Sequence, residues 1–249
     1  MSGSPTVFKR MELKYRLSAG RFRPFLAALR EYAEPDAYGQ YTIGSLYYDT
    51  PAYDLIRASL EKPVYKEKLR LRGYGIPKAS DTVYLELKKK YKGEVFKRRV
   101  PLPLETAARY MRTGEKPHPS CQVLEEIDWF TRCRPLQPAA YLAYDRTALL
   151  DRADPGVRIT IRYRADHLDL SFGDEGALLF PDGTVVMEIK LPGSMPLWLS
   201  RLLDSFALYP VSVSKYGTCY REHLFPESTK EGRIPLCSTR LPEASSKAG

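Results

Sequence analysis

Charged residues at every second position are the feature of this sequence that most constrains its fold. Residues 65–72 read YKEKLRLR, with a lysine or arginine at positions 66, 68, 70 and 72. Alternate side chains of a β-strand lie on opposite faces, so this spacing puts all four cations on one face. The opposite face includes Leu69 and Leu71, as expected of a strand with one buried face. The pattern therefore predicts a strand of a half-buried sheet.

The same alternation recurs along the chain, in residues 11–17, 84–90, 157–164 and 185–191. Most of the remaining sequence is also typical of strands, and five segments have helical spacing: 18–32, 105–112, 121–133, 195–206 and 215–223. We therefore expect an α+β fold with an antiparallel sheet. One interpretation of its charged face is ordinary solvation. The other is a sheet closed with this face inward, because like charges side by side repel unless a polyanion neutralises them.

The composition agrees with an anionic partner. The 249 residues include 39 Lys and Arg against 30 Asp and Glu, a formal charge of +9 and a pI near 9.3. Membrane headgroups, nucleic acid and a polyphosphorylated small molecule all fit that balance. Aromatic and basic residues are not interleaved as in a base-stacking platform, so no specific nucleic acid is expected. The four cysteines are scattered, which argues against a disulfide framework or a zinc site.

The chain is expected to form one folded domain over residues 7–224, followed by a disordered tail over residues 225–249. The tail is rich in Pro, Ser, Glu and Lys and poor in large apolar residues. No apolar stretch reaches the length of a membrane helix, and the first ten residues lack the apolar segment of a signal peptide. We therefore expect a cytoplasmic protein without a membrane segment of its own.

Eight short motifs, in a fixed order, resemble one family: FKRMELKYRL, SLYYDTPAYDLI, EKLRLRGYG, VYLELKKKYKGEVFKRRV, YDRTALLD, VRITIRYR, VVMEIKLPG and VSVSKYGTCY. Together they resemble the VTC (vacuolar transporter chaperone) polyphosphate polymerase domain, a branch of the CYTH-like triphosphate tunnel metalloenzymes. The resemblance implies an eight-stranded antiparallel β-barrel with helices packed outside. It implies transfer of the γ-phosphoryl group of ATP to inorganic polyphosphate, with Mn²⁺ or Mg²⁺ as cofactor. Separate membrane subunits are possible partners.

The resemblance also implies the site residues. Those expected at the reacting phosphates are Arg70, Arg72, Lys88, Lys97, Arg146, Arg158 and Glu188. Further substrate contacts are expected from Lys14, Tyr144, Arg162, Lys190, Ser214 and Lys215, with Glu188 and Glu12 as metal ligands. The alternation supports most of these, but Lys215 shares its strand parity with two valines. A bulge or a helix start would be needed to direct it into the site.

Two other functions remain open on the sequence. Triphosphatases of this superfamily begin with Glu-x-Glu-x-Lys, whereas here Arg10 takes the first position, before Glu12 and Lys14. The loss of that carboxylate disfavours a hydrolase. The third possibility is a module that binds polyphosphate or an inositol polyphosphate without catalysis. Glu12 and Glu86 have two open interpretations, as metal ligands or as partners that hold lysines in place.

Overall fold

The computed structural model describes residues 11–162, 166–168, 177–180 and 183–225. Arg10, the side chain of Arg162 and the predicted tail beyond Phe225 lie outside the described residues. The described part of the chain contains ten strands, six α-helices and one π-helix.

The strands are β1 (Met11–Leu17), β2 (Ala33–Asp49), β3 (Tyr65–Tyr74), β4 (Thr82–Tyr91), β5 (Glu94–Pro103), β6 (Gln137–Asp151), β7 (Arg158–Arg162), β8 (Asp166–Leu168), β9 (Ala177–Leu178) and β10 (Val185–Leu191). The helices are α1 (Ala19–Leu29), α2 (Asp54–Leu60), α3 (Leu104–Thr113), α4 (Gln122–Arg132), α5 (Leu197–Ser205) and α6 (Lys215–Cys219), with the π-helix at Tyr220–Leu224.

Eight strands form one continuous antiparallel sheet in the order β1-β10-β7-β6-β2-β3-β4-β5. The short strands β8 and β9 lie off this path, with β8 paired to β6. Hairpins of the type β3-β4-β5 need only short connections, which is why antiparallel pairing suits this sequence. The predicted α+β class and eight-stranded antiparallel sheet are confirmed.

The sheet curls so that β1 and β3, which are far apart in the strand order, share one concave side. Lys14 on β1 donates to the carbonyl of Val213 at 2.9 Å, while Lys68 on β3 donates to the hydroxyl of the adjacent Ser214 at 3.2 Å. Strands far apart in the sheet order therefore reach the same short segment. In the described residues, no backbone ladder joins β1 to β5. The tunnel is thus formed by curvature, not by closure of the hydrogen-bonded sheet.

Four helices cover the convex side and bury the apolar strand faces. Helices α1 and α5 pack on β1, β10 and β7, with Phe25, Ile189 and Leu199 fully buried between them. Helices α3 and α4 pack on β3 and β4, around Leu85 and Ile127. These layers confirm the predicted helices outside the sheet. Burial of such side chains stabilises the fold by about 1.5–3 kcal/mol each.

A third apolar cluster lies on the concave side of β2 and β6. Helix α2, helix α6 and the π-helix contribute Ile56, Tyr216 and Tyr220, which pack against Tyr47 and Tyr144. By register, Tyr47 is opposite Arg70, so this cluster shares a face with the charged residues. These short helices therefore cover part of the concave face, and they bring the segment around residue 214 to the cations.

Helix α2 was not predicted, because its seven residues have too short an apolar pattern to stand out. A buried carboxylate explains why it forms. Asp49, at the end of β2, accepts hydrogen bonds from the backbone amides of Leu55 and Ile56 at 2.9 and 3.0 Å. It also accepts one from the Tyr216 hydroxyl at 2.9 Å. Asp49 thereby satisfies the free amides at the start of α2 and ties α2 to α6.

A substitution at Gly44 in β2 tests the packing of the apolar cluster beneath helices α3 and α4. A Cβ atom at this position would overlap the buried ring of Tyr141 on the neighbouring β6. We expect Gly44→Ala to lower the free energy of unfolding by about 1–3 kcal/mol, because the ring cannot leave the core without strain.

The matched control is Gly20→Ala in α1, where nothing lies within 4 Å of the added methyl group. That change should raise the free energy of unfolding by up to about 1 kcal/mol through helix propensity. Denaturant unfolding of the two variants measures both. Equal effects in the two variants would contradict the packing described here.

Candidate functional site

The alternating charges of β3 lie on the concave face. Glu67, Leu69 and Leu71 are buried on the opposite side, whereas the intervening cations are only half-buried. The register extends this face across the sheet, because Arg70 is opposite Glu86 and Lys14 is opposite Glu188. The predicted residues on this face are Glu12, Lys14, Arg70, Arg72, Lys88, Lys97, Tyr144, Arg146, Arg158, Glu188 and Lys190.

Glu86 on β4 is the centre of one cluster, and its side chain is 1% exposed. Arg70 contacts its Oε2 through Nη2 at 2.7 Å and Nε at 2.8 Å. Lys97 Nζ lies 2.5 Å from Oε1, and Arg72 Nε lies 3.8 Å from Oε2. One carboxylate therefore holds three cations that are predicted to bind phosphate.

This arrangement fixes the ionisation of Glu86. Burial raises the pKa of its carboxyl group, but the charges of Arg70, Arg72 and Lys97 outweigh burial and bring the pKa down to about 2. The group is thus a permanent anion at physiological pH and does not act as a general acid. Of the two roles left open by the sequence, its contacts match that of a partner that holds cations in place.

Glu188 on β10 is the centre of a second cluster. Its Oε1 lies 3.7 Å from Lys14 Nζ and accepts a hydrogen bond from Lys215 Nζ at 3.4 Å. Glu12 lies 3.6 Å from the same Lys14 and 3.9 Å from Lys190. This cluster, like the first, places carboxylates among cations.

Lys215 reaches Glu188 because helix α6 begins at that residue, which ends the extended backbone and with it the strand parity. Ser214 caps the helix, accepting from the amide of Gly217 at 3.2 Å. The ammonium group of Lys215 lies 4.8 Å from the centre of the Tyr144 ring. The helix start anticipated from the sequence is therefore what directs Lys215 into the concave face.

A divalent metal is compatible with Glu188 and Glu12 only if phosphate oxygens complete its coordination. In the described residues, no group of three or more His, Cys, Asp or Glu side chains is placed to hold a metal ion. Mg²⁺ often binds through one or two carboxylates together with substrate phosphates and water. The two carboxylates flank Lys14 at 3.6 and 3.7 Å and fit that kind of shared site.

Two predicted arginines make contacts at the side of these clusters. Arg146 on β6 donates to the hydroxyl of Tyr41 and to Thr160 at 3.5 Å. Thr160 on β7 is opposite Glu188 on β10, so Arg146 reaches the strand next to the second cluster. Arg158 is instead held by Asp36, at 2.7 Å, where the β2–β6 pairing shifts register. Asp36 was not predicted, because a bulge position cannot be assigned from alternation.

Lys68 has the contacts of a site residue that the sequence-based selection missed. Lys68 lies two residues before Arg70 on β3, so both side chains are on the concave face. Its amine donates a hydrogen bond to the Ser214 hydroxyl at 3.2 Å. Burial and the neighbouring cations, Lys88 foremost, lower the pKa of its amine to about 7. Burial also lowers the pKa of Lys88, against the opposing effect of Glu12. The alternation of residues 65–72 was the signal that could have identified Lys68.

A comparison with family models matches the VTC domain over residues 9–223. The chain belongs to the VTC domain family. The match covers the curled sheet and all six α-helices described above. A comparison with curated protein sequences gives no match.

Solved structures show that this VTC domain has the triphosphate tunnel fold. A candidate adenylate cyclase from Bacillus halodurans superposes with a TM-score of 0.53 at 14% identity, over 82% of this chain and 93% of the other. A candidate adenylyl cyclase from Hippeastrum with a dominant triphosphatase activity gives 0.51 at 17% identity, over 85% and 95%. At these identities the likeness is one of fold. Among the described residues of the VTC domain, no helix has the length and apolar character to span a membrane.

The Glu86 cluster predicts how the ligand-free protein responds to loss of the Glu86 carboxylate. We expect Glu86→Gln to lower the free energy of unfolding by about 2 kcal/mol or more, because three mutually repelling cations lose their counter-charge. Adding inorganic tripolyphosphate should then raise the melting temperature of this variant more than that of the wild type. Thermal unfolding with and without tripolyphosphate measures both effects.

The control for this experiment is Glu126→Gln. Glu126 pairs with Lys89 at 2.7 Å, and this ion pair is not on the concave face. Its response to tripolyphosphate should equal that of the wild type. An equal response of Glu86→Gln would show that Glu86 does not compete with the anion.

The low pKa of Lys68 predicts that anion binding takes up protons. Phosphate favours the charged amine, so at pH 8 tripolyphosphate should bind with proton uptake, and Lys68→Met should reduce it. Folding of the ligand-free protein has the opposite proton balance, because the unfolded chain holds the proton that folded Lys68 has released. Lys68 therefore lowers the stability of the folded protein most strongly below pH 7, and this cost falls as pH rises from about 7 toward the unfolded amine's pKa of about 10.4.

Calorimetric titrations in buffers of different ionisation enthalpy measure the number of protons taken up. Lys78→Met, which changes an exposed lysine outside the strands, is the control and should leave the uptake unchanged. Identical uptake in the wild type and Lys68→Met would contradict the assignment.

Proposed function

We propose that this protein is a metal-dependent polyphosphate polymerase that transfers the γ-phosphoryl group of ATP to a growing inorganic polyphosphate chain. The observation that carries the proposal is the concave face itself, on which cations from β1, β3, β4 and β5 outnumber the carboxylates that hold them. Such a surface matches an extended polyanion. Membership of the VTC family supports the same substrate class. The proposed unit is the single domain over residues 7–224.

In this proposal the Glu86 cluster binds the donor phosphates. Arg70 and Arg72 present planar forks to phosphate oxygens, and Lys97 adds a point charge. Because Glu86 already holds these side chains within 3.8 Å of one carboxylate, they do not need to be gathered when the ligand arrives. Preorganised charge of this kind is the main source of catalysis in phosphoryl transfer.

The second cluster surrounds the reacting phosphoryl group. Glu188 and Glu12 would hold Mn²⁺ or Mg²⁺ together with phosphate oxygens, and the metal would offset the negative charge of the transferred group. Lys14 and Lys215 hold Glu188 in place and face the same ligand. Lys88 on β4 is close enough to interact electrostatically with Glu12 and Glu188, and it adds a further positive charge. Lys190, Arg146, Arg158, Tyr144, Ser214 and the side chain of Arg162 are proposed as outer substrate contacts.

The attacking group is a terminal phosphate oxygen of the acceptor chain, which is already ionised near pH 7. A general base is therefore unnecessary, and the protein's task is to align donor and acceptor in line. The new bond joins the acceptor oxygen to the γ-phosphorus, the bond from the γ-phosphorus to the β-γ bridging oxygen breaks, and ADP leaves.

A triphosphatase is the second candidate, favoured by the activity reported for the Hippeastrum protein. It needs a water molecule in the place of the acceptor phosphate. The described carboxylates nearest to the proposed transfer site, Glu12 and Glu188, are paired with lysines and are assigned above to the metal, so neither is left to activate water. A binding module without turnover is the third candidate. No specific nucleic acid partner is proposed, and any membrane subunit would be a separate chain.

The test is incubation of the full chain with ATP and Mn²⁺ or Mg²⁺, with separate measurement of polyphosphate, free phosphate and ADP. We expect polyphosphate and ADP to form together. Arg70→Ala and Glu188→Gln should each lower polyphosphate synthesis by about 100-fold or more, because the first removes a cation from the donor phosphates and the second removes a proposed metal ligand.

Arg98→Ala is the matched control, since Arg98 is exposed on the outer face of β5 and pairs with Glu126 at 3.4 Å. It should keep the wild-type rate. Free phosphate without polymer would instead identify a triphosphatase. Binding of polyphosphate that weakens in Arg70→Ala, with no ATP turnover, would identify a binding module.

A further inference from the structure

Three tyrosine rings form a connected set at one end of the concave face. Tyr74 on β3 lies between the other two, with ring centres 5.9 Å from Tyr41 on β2 and 6.1 Å from Tyr84 on β4. We refer to Tyr41, Tyr74 and Tyr84 as the tyrosine collar. Tyr74 is 46% exposed, and neither Tyr74 nor Tyr84 belongs to any of the three apolar clusters. Tyr41 packs against the third apolar cluster, but core packing does not explain Tyr74 and Tyr84.

The register places the collar on the same face as the cations. Tyr84 is opposite Arg72, and Tyr41 is opposite Arg146. Tyr74 continues the alternation of β3 two residues beyond Arg72. The row of cations on β3 thus ends in aromatic rings at this mouth of the tunnel.

Two arginines pack against the rings of the collar. The guanidinium group of Arg146 lies over the Tyr41 ring at 5.3 Å, and that of Arg99 lies over the Tyr84 ring at 4.9 Å. Partly exposed aromatic faces beside guanidinium planes are the surfaces on which proteins stack nucleobases. Inorganic phosphate has no planar group that could use them.

The opposite end of the same strands has a different character. There Lys66 of β3 is opposite Lys90 of β4, so the concave face presents lysines at that end. A lysine-lined mouth suits a phosphate chain, and an aromatic mouth suits the organic part of a nucleotide. The two ends of the tunnel are therefore chemically distinct.

The spacing between collar and cations fits a nucleoside triphosphate. Tyr74 and Arg70 are four residues apart on one strand, about 13 Å at roughly 3.3 Å per residue. Arg72 lies between them, and Lys68 lies on the far side of Arg70. A base at the collar would therefore place successive phosphates along Arg72 and Arg70 toward Lys68.

We propose that the tyrosine collar binds the base of the donor nucleotide, so that the nucleotide enters by this mouth and polyphosphate extends toward the mouth with Lys66 and Lys90. The proposal rests on the proposed function, in which a nucleoside triphosphate is the phosphoryl donor. It adds a base-binding subsite and a direction to the tunnel.

The test compares two ligands that share a triphosphate and differ in the nucleoside. Affinities of the full chain for the β,γ-imido analogue of ATP and for inorganic tripolyphosphate are measured by calorimetry in EDTA, which prevents turnover. The variants are Tyr74→Ala and Tyr84→Ala, each paired with the corresponding phenylalanine change. The control is Tyr91→Ala, because Tyr91 is as exposed as Tyr74 at 47% but lies on the other face of β4.

We expect Tyr74→Ala and Tyr84→Ala to weaken the nucleotide analogue about five- to 150-fold while leaving tripolyphosphate unchanged. The phenylalanine variants should keep wild-type affinity, because stacking needs the ring and not the hydroxyl. Tyr91→Ala should change neither ligand.

Several results would overturn the proposal. Equal loss of both ligands would mean that the collar acts on the phosphates or on folding, and no loss of either would mean that the base does not bind there. Loss in the phenylalanine variants equal to that in the alanine variants would exclude stacking. Failure of the proposed function is distinguished separately, because the wild type would then bind the nucleotide analogue at the collar yet make no polyphosphate.

Discussion

The fold depends on a balance between like-charged side chains crowded on one sheet face and a few buried carboxylates. Glu86 offsets Arg70, Arg72 and Lys97, and Glu188 offsets Lys14 and Lys215. Without these anions the mutual repulsion of the cations would oppose curvature, because curling brings the strands' charged faces toward one another. The carboxylates thus allow a basic surface to exist in a folded chain before any ligand arrives.

Burial of the apolar side chains on the other strand face offsets the free-energy cost of this charged interior. Leucine and isoleucine side chains alternate with the cations, and helices α1, α5, α3 and α4 cover them in two separate layers. Each strand therefore serves two purposes through a period of two residues. The same period makes the site sensitive to register, since a slip by one residue would exchange the apolar and charged faces.

Much of this was accessible from the sequence, because alternation determines which face a strand residue occupies. The cations of β3 and the carboxylate of β10 could be assigned to one face, and the family motifs supported the eight-stranded sheet. Partners across strands could not be assigned. The pairing of Arg158 with Asp36 depends on a register shift in β2, and the tyrosine collar depends on the alignment of three strands. Helix α2 was missed because it is stabilised by the buried Asp49 and by Tyr216, which lie outside it in sequence.

Under the proposed function, the charged groups of the concave face differ in how they respond to an incoming polyanion. Glu86, with a pKa near 2, stays ionised. Its cations can therefore pair with phosphate oxygens in its place without a change in the protonation of Glu86. Lys68, with a pKa near 7, is only partly charged in the free protein and gains its proton as phosphate approaches. The positive charge of the site therefore increases on binding, whereas the negative charge that holds the empty site together is constant. A basic tunnel built in this way limits its own repulsion when empty and reaches its full charge only with the ligand present.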